Sequence, residues 1–403
     1  VFVEDVDGYR FLDMTAAFGV TALGHSPMQT RSSLNLQSEK LIHGMGDVHP
    51  PAIKVELLEK LASRVPVKDP RITLGTGGSM ATEIALKACH LATGKPGMLA
   101  FEGGYHGLTL GALSVVGHEK FLQPFSEIVS TGLPRLKYPA SAPEHGDTPS
   151  GNLMAESLQE IQETIERFRD SVGGIIIEPI QGRGGIRIPP PGFLKALRQL
   201  CWDHQILLIC DEIFTGFYRT GSQFGVDAEE VFPDIILLGK ALGGGMPVGA
   251  CIGTREVMDS FGPSMGEAIH TETFLGHPAT MAAALATLEY FDANNMTEKV
   301  EKSSNKLQAI LQEVLGTRPE FFGHPRGRGL IWGVDCVKEG KPWPKLSGMV
   351  MRCALKAGLI VLGGGLQGNV LQFTPALTIT NRELEEMGER LERSVNLALE
   401  NLR

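Results

Sequence analysis

Apolar residues in the middle of the chain follow two patterns that take turns. Gly174–Ile177, Ile206–Cys210 and Ile235–Leu238 carry no polar side chain before their ends, which predicts strands buried on both faces, as in the centre of a parallel sheet. Leu158–Phe168 and Pro191–His204 read instead as helices; in the second, Phe193, Leu197, Leu200 and Cys201 share one stripe. Strand and helix repeating in this way predict a right-handed, mostly parallel α/β sheet flanked by helices. Val248–Gly253 follows as a strand expected to return antiparallel.

Upstream, Val1–Glu4 and Tyr9–Met14 flank Asp5-Val6-Asp7-Gly8, a hairpin signal. A polar helix over Gln29–Ile42 and an amphipathic helix over Ile53–Ser63 come next, separated by the loop His43–His49. Arg71–Gly75 is a short strand leading through a glycine cluster into a helix that ends near His90, and Leu99–Glu102 is another strand. Gly117–Asn152, rich in Pro, Gly and Ser, reads as a long irregular connection. Downstream, helices are expected over Ala279–Phe291, Thr297–Leu315, Leu346–Ala357 and Asn381–Leu402, and strands over Leu330–Asp335, Leu359–Leu362 and Val370–Phe373. The change of pattern predicts a large domain over residues 45–295 and a smaller α+β domain built from residues 1–44 and 296–403. The chain opens without Met inside the hairpin, so a short preceding segment is expected.

At 403 residues, the chain has room for two or three domains. Its net charge of −9, with no Lys/Arg-rich run, argues against nucleic acid or an anionic membrane as partner. The six cysteines form no CxxC pair and several lie in apolar runs, which predicts reduced buried thiols and a cytoplasmic location. His43 and His49 have no third ligand at helical spacing, so no metal site is expected.

Chemistry concentrates where the predicted strands end. Asp211 closes one apolar run and Lys240 nearly closes the next, while Glu178 follows a third. Ligands of open α/β sheets sit beyond the carboxyl ends of the strands, so these side chains should face one crevice. A lysine able to form a Schiff base and an acid able to pair with a pyridinium nitrogen are the groups that pyridoxal 5'-phosphate (PLP) requires of a protein. The helix start at Gly75-Thr76-Gly77-Gly78-Ser79 offers backbone N–H groups to an anion; its spacing fits neither a dinucleotide fingerprint nor a P-loop. Tyr105, at another strand end, suits stacking on a planar ring. Taken singly, each feature has a plainer reading as a solvated terminus, a tight turn or a core aromatic.

Together these stretches resemble the class III aminotransferases of PLP fold type I. The shared motifs are Tyr105-His106-Gly107, Glu178-Pro179-Ile180-Gln181-Gly182, Asp211-Glu212-Ile213 with Arg219-Thr220-Gly221, Gly239-Lys240 with its following glycines, and Thr273-Phe274. The resemblance implies that Lys240 holds PLP as a Schiff base and moves the substrate's proton, and that Asp211 pairs with the ring nitrogen. It also implies that Tyr105 and Ile213 flank the ring and that His106 and Glu178 belong to the cofactor site. Gly78 and Ser79 would bind the phosphate, with Thr273 contributed by a partner in a homodimer with shared active sites.

Other positions depart from the 4-aminobutyrate branch of that family. Leu108 stands where that branch has a carboxylate-binding Arg, Arg183 where it has a Glu, Gln372 where it has that Glu's partner Arg, and Phe214 where a Gln touches the cofactor. Arg183 is therefore expected to recognise a carboxylate, and the surroundings of Leu108 and Phe214 to accept an apolar amine. The expected reaction moves an amino group from a primary amine or amino acid to a 2-oxo acid. An aminomutase or amino-acid epimerase of the same fold is the alternative, and a catalytically silent binding protein is a third reading, opposed by the intact Lys240 and Asp211.

Overall fold

The computed structural model describes residues 1–129, 132–140, 150–263 and 268–402. Seven strands form the main sheet, in the order Pro70–Gly75, Gly249–Thr254, Ile235–Leu238, Leu207–Asp211, Val172–Ile177, Gly97–Phe101 and Arg135–Leu136. Gly249–Thr254 runs antiparallel to both its neighbours, and every other adjacent pair is parallel. The α/β class and the mostly parallel central sheet are thus as expected.

The apolar runs supply both faces of this sheet. Ile175, Ile177, Leu208, Cys210, Ile236 and Leu238 face one core, whereas Ile176, Ile209, Ile235 and Leu237 face the other. Successive strand side chains point to opposite sides, so a strand covered twice must be apolar throughout. The helix Gly78–Thr93 covers the second face with Ala81, Ile84, Ala85, Ala88 and Cys89. All six cysteines are buried and free, and no described helix is long and apolar enough to cross a membrane.

The stretch Gly117–Asn152 departs from the irregular connection expected of it. It contains a short helix, Glu119–Leu122, and the edge strand Arg135–Leu136, and the next helix begins at Ser150; residues 130–131 and 141–149 lie outside the described residues. Two residues are too few to show a period, and this strand is held by tertiary contacts: it pairs with Ala100 and Phe101, and Arg135 Nε donates to the Val116 carbonyl at 3.0 Å.

Both ends of the chain meet in smaller sheets. Arg10–Asp13 lies between Phe2–Glu4 and Leu359–Ile360, placing Leu12 opposite Leu359. A four-stranded antiparallel sheet follows the order Arg326–Arg328, Ile331–Asp335, Val370–Phe373 and Leu362–Gly364. The fully buried Arg219 ties this C-terminal segment to the loop after Asp211. Its Nη1 donates to the carbonyls of Leu330 at 2.9 Å and Pro375 at 2.5 Å. Burial lowers its pKa to about 10, still far above neutrality, so the guanidinium enters the core charged.

Arg219→Met leaves two buried carbonyls without a donor, and we expect it to lower unfolding stability by about 2–4 kcal/mol. Urea denaturation followed by circular dichroism measures this; an unchanged midpoint would show that Arg219 does not tie these segments together.

Candidate active site

The carboxyl ends of the parallel strands converge on one edge of the sheet. The first of them, Pro70–Gly75, turns into the helix Gly78–Thr93, which starts without a side-chain cap. Its first-turn N–H groups therefore keep no intrahelical or capping partner, as at any open helix start. The turn is pressed tightly onto its neighbours: a Cβ on Gly249 would lie 2.1 Å from the Gly77 carbonyl oxygen, and one on Gly78 would lie 2.9 Å from Ile213 Cδ1. Ser79 Oγ accepts from the Leu108 N–H at 3.4 Å. Beside Gly77 there is open space.

Two strands further in, the carboxylates are bound from several directions. Asp211, nearly inaccessible to solvent, faces His106, with Oδ2 2.7 Å from the imidazole Nδ1, and its Oδ1 accepts from the Ile213 N–H at 3.0 Å. Glu178 joins two loops, since its oxygens accept from the Tyr105 N–H at 2.8 Å and the Gly182 N–H at 2.9 Å. Burial raises the Glu178 pKa, with Asp211 adding to the rise and His106 opposing it.

Lys240 opens the 3-10 turn Lys240–Gly243, after the strand Ile235–Leu238. Its φ of +43° is unusual for a long side chain; such conformations persist only where the surroundings enforce them, and they cluster at functional sites. The amine lies 3.8 Å from the Phe214 ring centroid. Part of the side chain remains reachable by solvent, yet the protein packed around the amine lowers its pKa to about 8, against the opposing pull of Asp211 and Glu178.

The remaining residues singled out in the sequence take distinct places. Ile213 packs between the Gly78 and Gly239 backbones. The Tyr105 ring centroid is 5.6 Å from that of Phe121 and 5.6 Å from the Arg183 Cζ. Gln372 is buried, with its amide nitrogen donating to the Gly182 carbonyl at 2.7 Å. Leu108 is exposed, as is Thr273. The residue before Thr273, Glu272, accepts from the Thr76 N–H at 2.9 Å and so reaches the glycine turn of its own chain. His43 packs against Phe274 and His277, and no three His, Cys, Asp or Glu among the described residues are grouped as metal ligands.

Two contributors escape a reading of the motifs. The turn Ala16–Gly19 has positive φ at all four residues and packs on the site, since a Cβ on Gly19 would lie 2.7 Å from the Phe214 ring. Its only sequence signal is the neighbouring Asp13, whose Oδ1 accepts from the Thr15 N–H and hydroxyl. Glu272 is the other, and nothing local marks it.

By type, these groups fit PLP: open N–H donors for a phosphate, a buried carboxylate for a protonated ring nitrogen, and an amine of depressed pKa for a carbonyl carbon. Their arrangement at a sheet edge is that of fold type I PLP enzymes. Residues 1–395 match the family Aminotransferase class-III. Acetylornithine aminotransferase of Methanopyrus kandleri is 34% identical over 95% of this chain and 89% of that protein. The alanine/serine racemase of Pyrococcus horikoshii is 32% identical over 98% of this chain and 84% of that one. A PLP-bound amine transaminase from an uncultivated Pseudomonas species superposes with a TM-score of 0.90 at 28% identity, covering 98% of this chain and 93% of that chain. The chain belongs to the class III aminotransferase family and is a PLP-dependent transaminase.

A lysine is nucleophilic only as the free amine. Below about pH 8 Lys240 is mostly protonated and above it mostly neutral, whereas an ordinary lysine remains protonated to about 10.4. Borohydride trapping of added PLP on apoprotein should therefore label Lys240 at a rate that rises with pH and levels off above about 8. Peptide mass mapping across about pH 6–11 checks this; a rate still climbing past about pH 10 contradicts the depressed pKa.

Proposed function

We propose that Lys240 would bind the carbonyl carbon of PLP with loss of water, and that its Nζ, once displaced there by the substrate's amine, would carry the proton between substrate carbon and cofactor. Bound PLP supplies an electron sink for the pair left when that proton departs. Asp211 would hold the ring nitrogen protonated, and His106, 2.7 Å from its Oδ2, keeps the carboxylate oriented. Tyr105 and Ile213 flank the ring, Glu178 holds the Tyr105 loop in place, and the N–H groups of Gly78 and Ser79 take the phosphate. The observation that carries this reading is the placement of Lys240, Asp211 and Glu178 at the carboxyl ends of three neighbouring parallel strands, where the surrounding protein lowers the Lys240 pKa; an amine that gives up its proton more readily serves both as nucleophile and as base.

The working unit in this reading is a homodimer with shared active sites, in which Thr273 of the partner subunit completes the phosphate site. An apolar patch supports it: Leu41, Ile42, Met45, Val48, Ile269 and Phe274 are exposed on two segments joined by the Thr271–Asp47 hydrogen bond and the His43–Phe274 ring contact. Apolar surface of this kind commonly marks an interface. The division into a large domain, 45–295, and a smaller one from both ends belongs to the same reading, as does a cytoplasmic location, suggested by six free buried thiols.

Phe214 beside the amine and Leu108 at the rim favour a donor with an apolar substituent. A second reading, epimerisation, draws on the resemblance to the racemase of P. horikoshii. A panel of amines and amino acids added to holoenzyme separates the two. Conversion of the cofactor's absorption to that of its amino form, reversed by a 2-oxo acid, is expected; stereochemical inversion of an amino acid without any 2-oxo acid would favour epimerisation. Lys240→Ala should lower the rate of the amine half-reaction by at least about 100-fold, and retention of the wild-type rate would remove Lys240 from the proton transfer.

A further inference from the structure

A charged side chain left without a counter-ion next to a reaction centre asks what neutralises it. Two guanidinium groups act electrostatically on the Lys240 amine, those of Arg183 and Arg219. Arg219 is sealed in the core on the carbonyls of Leu330 and Pro375. Arg183 is half-buried and, among the described residues, makes neither an ion pair nor a side-chain hydrogen bond; its Cζ lies 5.8 Å from the Phe18 ring centroid and 5.6 Å from that of Tyr105. Aromatic faces attract a guanidinium but leave its N–H donors in the ring plane free for an anion.

The backbone around Arg183 is held from both sides. Gln372 donates to the carbonyl of Gly182, Gly365 N–H donates to the carbonyl of Arg183 at 3.0 Å, and Glu178 accepts from the Gly182 N–H. Gly182 also packs under Phe214, since a Cβ there would lie 2.3 Å from that ring, and the same ring meets the Lys240 amine at 3.8 Å. A fixed loop thus carries Arg183 one residue beyond Gly182, which packs under the ring beside the reacting lysine.

We propose that Arg183 is the specificity residue that receives the carboxylate of a monocarboxylic 2-oxo acid, such as pyruvate, and of the amino acid formed from it. This rests on the aminotransferase reading of the site. A planar guanidinium binds a carboxylate through two parallel N–H···O bonds, and the rings of Phe18 and Tyr105 lie beside the guanidinium of Arg183. Arg219 is buried out of reach of solvent, so among the described residues this chain offers one accessible cation beside the amine. A second carboxylate, as in 2-oxoglutarate, meets none from it.

The test compares wild-type holoenzyme with Arg183→Gln, Arg183→Ala and Arg183→Lys, using a carboxylate-free amine as donor. Loss of a charge-assisted carboxylate contact should raise the KM for pyruvate roughly 10- to 100-fold in the first two, with a smaller change in kcat. The preference for pyruvate over benzaldehyde, which has no carboxylate, should fall by the same factor, and Arg183→Lys should restore part of it. An unchanged pyruvate-to-benzaldehyde ratio, or a wild-type preference for 2-oxoglutarate over pyruvate, overturns the proposal. Calorimetry with propionate and propionamide gives a readout independent of turnover. Weaker propionate binding in Arg183→Gln, with propionamide unaffected, supports the carboxylate site; equal propionate affinity in variant and wild type overturns it. If wild-type enzyme transfers no amino group to any carbonyl acceptor, the aminotransferase reading fails, and the propionate titration still decides the role of Arg183.

Discussion

The hydrogen bonds received by Asp211 and Glu178 carry the organisation of the site. Taking a carboxylate out of water costs several kcal/mol unless donors replace the lost solvent. Asp211 receives His106 and the Ile213 N–H, and Glu178 receives the N–H groups of Tyr105 and Gly182. These donors lie on three loops, which leave the sheet after Gly97–Phe101, Val172–Ile177 and Leu207–Asp211. Satisfying the buried acids therefore fixes the relative positions of those loops, and the side chains they present follow. Glu212 repeats the device one residue on: it accepts from the N–H groups of Gly225 and Val226 and from the Thr215 hydroxyl, while burial raises its pKa to about 7.

Close packing of backbone carries this arrangement outward. The loops approach each other nearer than a side chain would allow, at Gly78 against Ile213 and at Gly182 against Phe214. Strain is admitted where the packing can hold it. Lys240 and the Ala16–Gly19 turn both take positive φ, a conformation costing of order 1–3 kcal/mol per non-glycine residue. The turn is braced by Asp13, which binds Thr15 and lies 2.9 Å from His25 Nε2, and it delivers Phe18 to the face of Arg183. Through this contact, the first strands of the chain take part in shaping a site built mainly on the central sheet.

The positive groups near the amine have separate physical roles because they are solvated differently. Arg219 makes its hydrogen bonds to main-chain carbonyls in the core and acts on Lys240 only through its field. Arg183 keeps its donors free at the cleft. Equal charge in the sequence thus has unequal meaning, decided by what each guanidinium finds around it.

Much of the architecture was legible in the chain itself, because strands covered on both faces must be apolar at every position; Ile235–Leu238 was read to the residue on that ground. The order of motifs likewise carried the family, since Asp211 and Lys240 are tied to the ends of such strands. Short or irregular elements were not legible: the edge strand Arg135–Leu136 has no period of its own, and the left-handed turn at Ala16–Gly19 contains a single glycine. Nor could the sequence show that Gln372 donates to Gly182, that Glu272 reaches Thr76, or that Arg183 stays half-buried with its donors free while Arg219 is sealed in the core. Those facts join residues far apart in the chain. Local propensity acts over a few neighbours, whereas hydrogen-bond partners and solvation are settled only when the sheet brings its loops to one edge.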